Sequence, residues 1–186
     1  MENVYEVKLE KLIEKMELVN YTPKIDVSEI LIHQAEINRP ALQLAGFFDH
    51  FAENRVQIIG RVEQVYLQQL EQDKIQMLDV YEQFFNSKIP CVVFSRGIQP
   101  SEAMFYIAEK YNVPLLGTPL GTSEFMAEII RWLNVELAPR ISIHGVLVDV
   151  FGEGVLIMGE SGIGRSEAAL ALIKHGDRLV SDDVVE

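Results

Sequence analysis

Val155-Leu-Ile-Met-Gly-Glu-Ser-Gly-Ile-Gly-Arg-Ser-Glu-Ala-Ala-Leu-Ala-Leu-Ile-Lys-His175 decides the fold of the second half of this chain. The apolar run Val155 to Met158 reads as a strand, and Glu167 to His175 reads as a helix. Between them, Gly159 to Ser166 fits the pattern G-x-x-x-x-G-K-[ST] with one change, Arg165 where the pattern has lysine. Backbone N–H groups at a glycine-rich turn and a helix N-terminus form an anion site. Gly159, Glu160, Ser161, Gly162, Ile163, Gly164, Arg165 and Ser166 are therefore the candidate nucleotide-binding loop, with the Ser166 hydroxyl a candidate ligand for Mg²⁺. A plain strand-to-helix turn can also be glycine-rich, but the strand before and the helix after favour phosphate.

Arg165 leaves two readings open. Guanidinium keeps a positive charge near the phosphates, yet it is larger, planar and forked where an ammonium is compact. The site is either weakened or altered, or the exchange is a tolerated or accidental variation.

Leu179 to Asp183 reads as the next strand, and a right-handed crossover would lay it beside Val155–Met158. Asp182 and Asp183 then fall at the strand's C-terminal end, the rim where α/β sheets take ligands. One carboxylate there can help hold Mg²⁺ while the other accepts a proton from an attacking hydroxyl. The competing reading is a solvated acidic turn. His144 opens the segment that feeds the loop, and imidazole titrates near neutrality, although a lone histidine is usually structural. His33 and His50 have no partner pattern. Cys91, the only cysteine, sits in an apolar run as a small hydrophobe, so neither an intrachain disulfide nor a cysteine-rich zinc site is available.

The 186 residues suit one domain or two small ones. Sixteen Lys+Arg against 28 Asp+Glu give a net charge of −12, which disfavours nucleic acid and anionic membrane as partners. No apolar run approaches the ~20 residues of a membrane span, and the start Met1-Glu-Asn-Val-Tyr-Glu lacks the features of a signal peptide. A cytoplasmic location is expected.

Leu9, Leu12, Ile13 and Met16 predict an amphipathic helix over residues 7–19. Asn38-Arg39-Pro40 marks a turn, and residues 41–67 mix apolar segments around a break at Gly60. A helix over 73–85, a strand over 89–95, a helix over 101–112, a strand over 113–117 and a helix over 123–133 follow. This alternation argues for a parallel sheet covered by helices. Ser95-Arg96-Gly97, at a strand's end, could meet an anion, but a plain turn is the better reading. A boundary near Asn134 to Pro139 divides an N-terminal α/β domain, 1–133, from a second region, 134–186. There, His144 to Met158 reads as a hairpin turning at Phe151-Gly152-Glu153-Gly154, and Gly176 ends the helix behind Lys174 and His175.

Three stretches carry a resemblance beyond the loop: His144-Gly-Val-Leu-Val-Asp-Val-Phe-Gly152, Gly154 to Gly164, and Gly176-Asp-Arg-Leu-Val-Ser-Asp-Asp183. Asn38-Arg-Pro-Ala-Leu-Gln-Leu-Ala-Gly-Phe-Phe48, Arg55-Val-Gln-Ile-Ile-Gly60 and Ser95-Arg-Gly97 add to it in the first half. Across nearly its whole length the chain resembles the HPr kinase/phosphorylases of bacterial carbon catabolite regulation.

That resemblance implies an α/β fold, with an N-terminal domain similar to the first domain of the Mur ligases and the beginning of a P-loop kinase domain, truncated here. It implies phosphorylation of a serine of the phosphocarrier protein HPr with ATP or pyrophosphate, and removal of that phosphate by phosphorolysis to pyrophosphate. Asp183 takes the role of proton acceptor and, in reverse, donor, with Asp182 beside it; His144 matches an active-site histidine and Arg165 the catalytic lysine. Mg²⁺ and a homo-oligomer, a hexamer in the family, are implied too. Family members run past the equivalent of Glu186, so the fragment is expected to be inactive alone. The alternative is a non-catalytic regulatory or interaction module with a degenerate phosphate site; an unrelated P-loop NTPase fits the long shared segments less well.

Overall fold

The computed structural model describes residues 5–140, 143–159, 163–182 and 184–185. They form two compact units, Met1–Ala138 and Pro139–Glu186.

The first unit runs β1 (Val7–Lys8), α1 (Leu9–Lys15), β2 (Val19–Asn20), β3 (Leu31–Ile32), β4 (Ile37–Asn38), α2 (Ala41–Leu44), β5 (Val56–Ile59), α3 (Arg61–Leu70), α4 (Lys74–Asn86), β6 (Val92–Phe94), α5 (Glu102–Tyr111), β7 (Leu115–Gly117) and α6 (Thr122–Glu136). Its main sheet has the order β2-β7-β6-β5-β4. β4, β5, β6 and β7 are parallel and β2 is antiparallel to β7. Every residue of β5, β6 and β7 is buried, as expected of parallel strands covered on both faces.

Alternation along the strands divides the core in two. Ile59, Val92, Phe94 and Leu115 pack with Leu67, Phe84, Phe85 and Met104 from α3, α4 and α5. Val56, Ile58, Val93 and Leu116 pack with Leu9 and Leu12 of α1 and Phe125, Ile129 and Leu133 of α6. The unit is thus a three-layer α/β/α sandwich, the architecture that strand–helix alternation dictates.

Helix ends follow their caps. Asp73 Oδ1 accepts from the N–H groups of Ile75 and Gln76, both at 3.1 Å, so α4 begins after it. Ser101 Oγ accepts from Met104 N at 3.2 Å. Asn112, with φ 54°, closes α5 in the left-handed conformation. The helix expected over 7–19 is shorter, 9–15. Val7 and Lys8 instead pair with Ile32 and Leu31, and Val19 and Asn20 pair with Gly117 and Leu116. Strand partners distant in sequence override the helical spacing at both ends.

The second unit runs β8 (Ile143–Val150), β9 (Glu153–Met158), α7 (Arg165–Lys174), β10 (Arg178–Ser181) and β11 (Val184–Val185). β8 and β9 form the expected hairpin, closed by Phe151 (φ 53°) and Gly152 (φ 88°); positive φ at both positions matches the twist of a two-residue connection. Asp149 Oδ1 accepts from Gly152 N at 2.8 Å and fixes the turn. Val146 and Val148 are buried against Ala169, with Ile157 and Leu172 packed beside them.

One expectation is corrected. β10 does not lie beside β9; it pairs antiparallel with the other edge of β8. The tight hairpin holds β8 against β9, so the strand after α7 docks on the edge of β8 left free. β9 and β10 remain parallel to each other with β8 between them.

Candidate phosphate-binding site

β9 delivers the chain to Gly159 and α7 takes it up at Gly164 and Arg165. Gly164 is the N-cap of α7 at φ 97° and ψ 21°, a conformation open to glycine and costly for a side chain. Ile163 folds back over Gly159 so closely that a Cβ there would lie 2.3 Å from its Cδ1. The first N–H groups of α7 have no partners within the helix and point out of its N-terminus.

Arg165 is the first residue of α7, and its Nη1 is buried without a hydrogen-bond partner among the described residues. A buried guanidinium nitrogen left unpaired is costly, and a phosphate oxygen is the partner its chemistry suits best. Ser166 follows, exposed, on the first turn. Glu160, Ser161, Gly162 and Asp183 lie outside the described residues.

Strand order brings the remaining candidates to the same edge. Gly145 stands opposite Met158 at the end of β9, Ser181 at the end of β10 stands opposite Leu147, and His144 stands opposite Val184. The start of β8 and the ends of β9 and β10 therefore converge. His144 and Asp182 are both exposed there. The Ser166 hydroxyl and the Asp182 carboxylate are oxygen donors of the kind that Mg²⁺ prefers. Among the described residues no group of three or more His, Cys, Asp and Glu could hold a metal by itself.

The corresponding edge of the first unit is differently used. Ser95 Oγ lies 2.7 Å from Thr122 Oγ1 and 3.2 Å from the carbonyl of Ile59. The N–H groups of Arg96 and Gly97 donate to the carbonyls of Leu120 and Thr118, at 2.8 and 2.9 Å. These donors serve the neighbouring loop. Glu63 Oε2 accepts from Gly60 N at 2.9 Å and from Arg39 Nη2 at 2.7 Å. Cys91 is buried, and burial pushes its thiol up to about 12, which leaves it inert at neutral pH. Among the described residues no helix is long and apolar enough to cross a membrane.

Both units are matched by known sequence families. The family model described as "HPr Serine kinase N terminus" matches residues 7–133, and "HPr Serine kinase C-terminal domain" matches residues 135–186. The HPr kinase/phosphorylase of Lachnoclostridium phytofermentans is 61% identical over 98% of this chain and 59% of its own length. That of Caldicellulosiruptor bescii is 47% identical over 95% of this chain and 56% of its own. The chain thus spans little more than half the length of these relatives. Among solved structures, the CBS and DRTGG domains of the regulatory region of Clostridium perfringens pyrophosphatase cover 66% of this chain and 45% of that one, at 14% identity and a TM-score of 0.42.

Proposed function

The chain belongs to the HPr serine kinase family, and from that we propose that its complete product is a bifunctional protein-serine kinase/phosphorylase acting on HPr. The observation that carries the reading is the convergence of β8, β9 and β10 on one edge, with His144, Gly159 and Asp182 along it.

In the forward direction the N–H groups of the loop 159–166 hold the donor's phosphates, and Arg165 lays its charge beside the transferring group. Asp183 accepts the proton of the serine hydroxyl as Oγ forms its bond to phosphorus and the bond to the bridging oxygen breaks. Asp182 and Ser166 supply oxygens for Mg²⁺, and His144 tunes the neighbouring aspartate or pairs with phosphate. Mg²⁺, when bound with ATP or pyrophosphate, neutralises charge on the phosphate oxygens. In reverse, an oxygen of inorganic phosphate attacks phosphoserine, Asp183 returns the proton to the leaving Oγ, and pyrophosphate departs. Catalysis rests on positioning and charge. A cytoplasmic homo-oligomer with Mg²⁺ as cofactor completes the proposal.

Arg165 favours one other reading, a module that binds HPr or a metabolite without transferring phosphate. The complete product is incubated with HPr, ATP and Mg²⁺, as found and as Arg165→Lys, and phosphoserine is followed by intact-protein mass spectrometry. Transfer by the natural form is expected and establishes the kinase. Transfer by the lysine form alone means a kinase switched off at one residue. Binding of HPr without transfer by either form overturns the enzyme reading.

A further inference from the structure

A cavity of about 200 Å³ lies in the first unit between α3 and α5. It abuts Phe94, the last residue of β6, so it opens at the carboxyl end of the parallel strands, where α/β sheets take ligands. At ~30 Å³ per water it has room for about seven waters, or a small organic molecule of similar bulk. Its floor is apolar and buried: Leu67, Phe94, Ile98 and Met104.

Its polar side has one ionisable group. Glu71, at the end of α3, directs Oε1 to two hydroxyls: Tyr81 Oη of α4 at 2.6 Å, and Ser101 Oγ, the N-cap of α5. Three elements thus fix the carboxylate, and the Tyr81 ring behind it is fully buried. Oε2 accepts no hydrogen bond among the described residues, and none of the ion pairs includes Glu71. The other polar groups of the lining are the amides of Gln64, Gln68 and Gln99 and the Ser101 hydroxyl. Among the described residues no lysine, arginine or histidine lines the cavity. An anion would find no partner there and would face a carboxylate.

We infer that this cavity binds a small organic ammonium compound, its charged head on Glu71 Oε2 and its apolar body on the floor formed by Leu67, Phe94, Ile98 and Met104. An ammonium suits the free oxygen better than a hydroxyl because it adds the attraction of a full opposite charge to the hydrogen bond, an attraction that a partly buried site screens less than bulk water does. The amides of Gln64 and Gln68 can accept its remaining protons. The inference concerns the first unit and does not depend on the phosphate loop.

Benzylammonium, benzyl alcohol and benzoate share a body and differ in their heads. Each is titrated into the ¹⁵N-labelled 186-residue chain, and backbone amide shifts are followed by NMR. Benzylammonium is expected to bind with a Kd of about 1 mM or tighter, moving amides within 64–71 and 94–104. Benzyl alcohol should bind about tenfold more weakly and benzoate not at all. Glu71→Gln, which keeps an oxygen for Tyr81 and Ser101, should bring amine and alcohol to equal affinity. Gln68→Trp, at an exposed position on the rim, should abolish binding of both and decides the matter if Glu71→Gln fails to fold. Equal binding of amine and alcohol by the unaltered chain, no binding at all, or shifts confined to other residues would overturn the site.

Discussion

β5 and β6 in the first unit and β9 and β10 in the second all carry adjacent large apolar residues, yet these end in opposite environments. Every residue of β5 and β6 is buried, whereas Met158 of β9 is 61% exposed and Val180 of β10 57%. The difference lies in what covers them. α2 to α5 cover one face of the first sheet, and α1 and α6 cover the other. In the second unit α7 covers a patch centred on Val146, Val148 and Ala169. Hydrogen bonding and apolar pattern are enough to make a strand, but stability follows the number of layers laid on it.

The sharpest way to break this contrast is to cut each core once. Phe84 is fully buried, with its ring 5.7 Å from Phe51 and 5.2 Å from Phe85. Phe84→Ala should cost the first unit about 3–5 kcal/mol, read as a lower urea midpoint. Val148→Ala, at about 0.8 kcal/mol per methyl group removed, should cost the second unit about 1–2 kcal/mol. Equal losses would end the argument from layers. Amide exchange sharpens it, since β5 to β7 should exchange only through global opening and β9 and β10 well before it.

A smaller effect comes from the surface between α4 and α5. Lys110 and Tyr111 both donate to Glu82, and their hydrogen bonds hold its carboxyl below the ordinary 4.5. A lowered folded value contributes stability above pH 4.5 that is lost as pH falls through it. Glu82→Gln should therefore flatten acid unfolding of the first unit below that pH and leave stability at pH 7 little changed, since exposed pairs contribute little. A steep loss at pH 7 would show that this surface matters as much as the core.

Much of this was legible in local sequence. Asp73 and Ser101 announced the starts of α4 and α5 because a cap acts within three residues of itself. The glycines around Arg165 and the hairpin at Phe151-Gly152 were readable for the same reason: backbone geometry there is set by the residues in place. Pairings between distant segments were not. Nothing near Val19 announces Gly117, and nothing near Leu179 announces β8 rather than β9. The Glu71 cavity escaped for a related cause: it joins residues 64–71 to 94–104, and a glutamate at a helix end is the most ordinary of surface residues until two hydroxyls from other helices close on it.

The position of β8 between β9 and β10 also fixes an order of assembly. β8 meets β9 across the turn of Phe151 and Gly152, a closure of about 1–10 μs. Leu179 reaches Val148 only after the chain has passed through β9 and the whole of α7, and distant pairings pay their loop entropy before any contact repays it. Pulsed hydrogen labelling during refolding should thus protect the amides of β9 before those of Arg178–Ser181. On this order the segment leading to Gly159 forms as a local hairpin, and the strand leading to Asp182 is added to it afterwards.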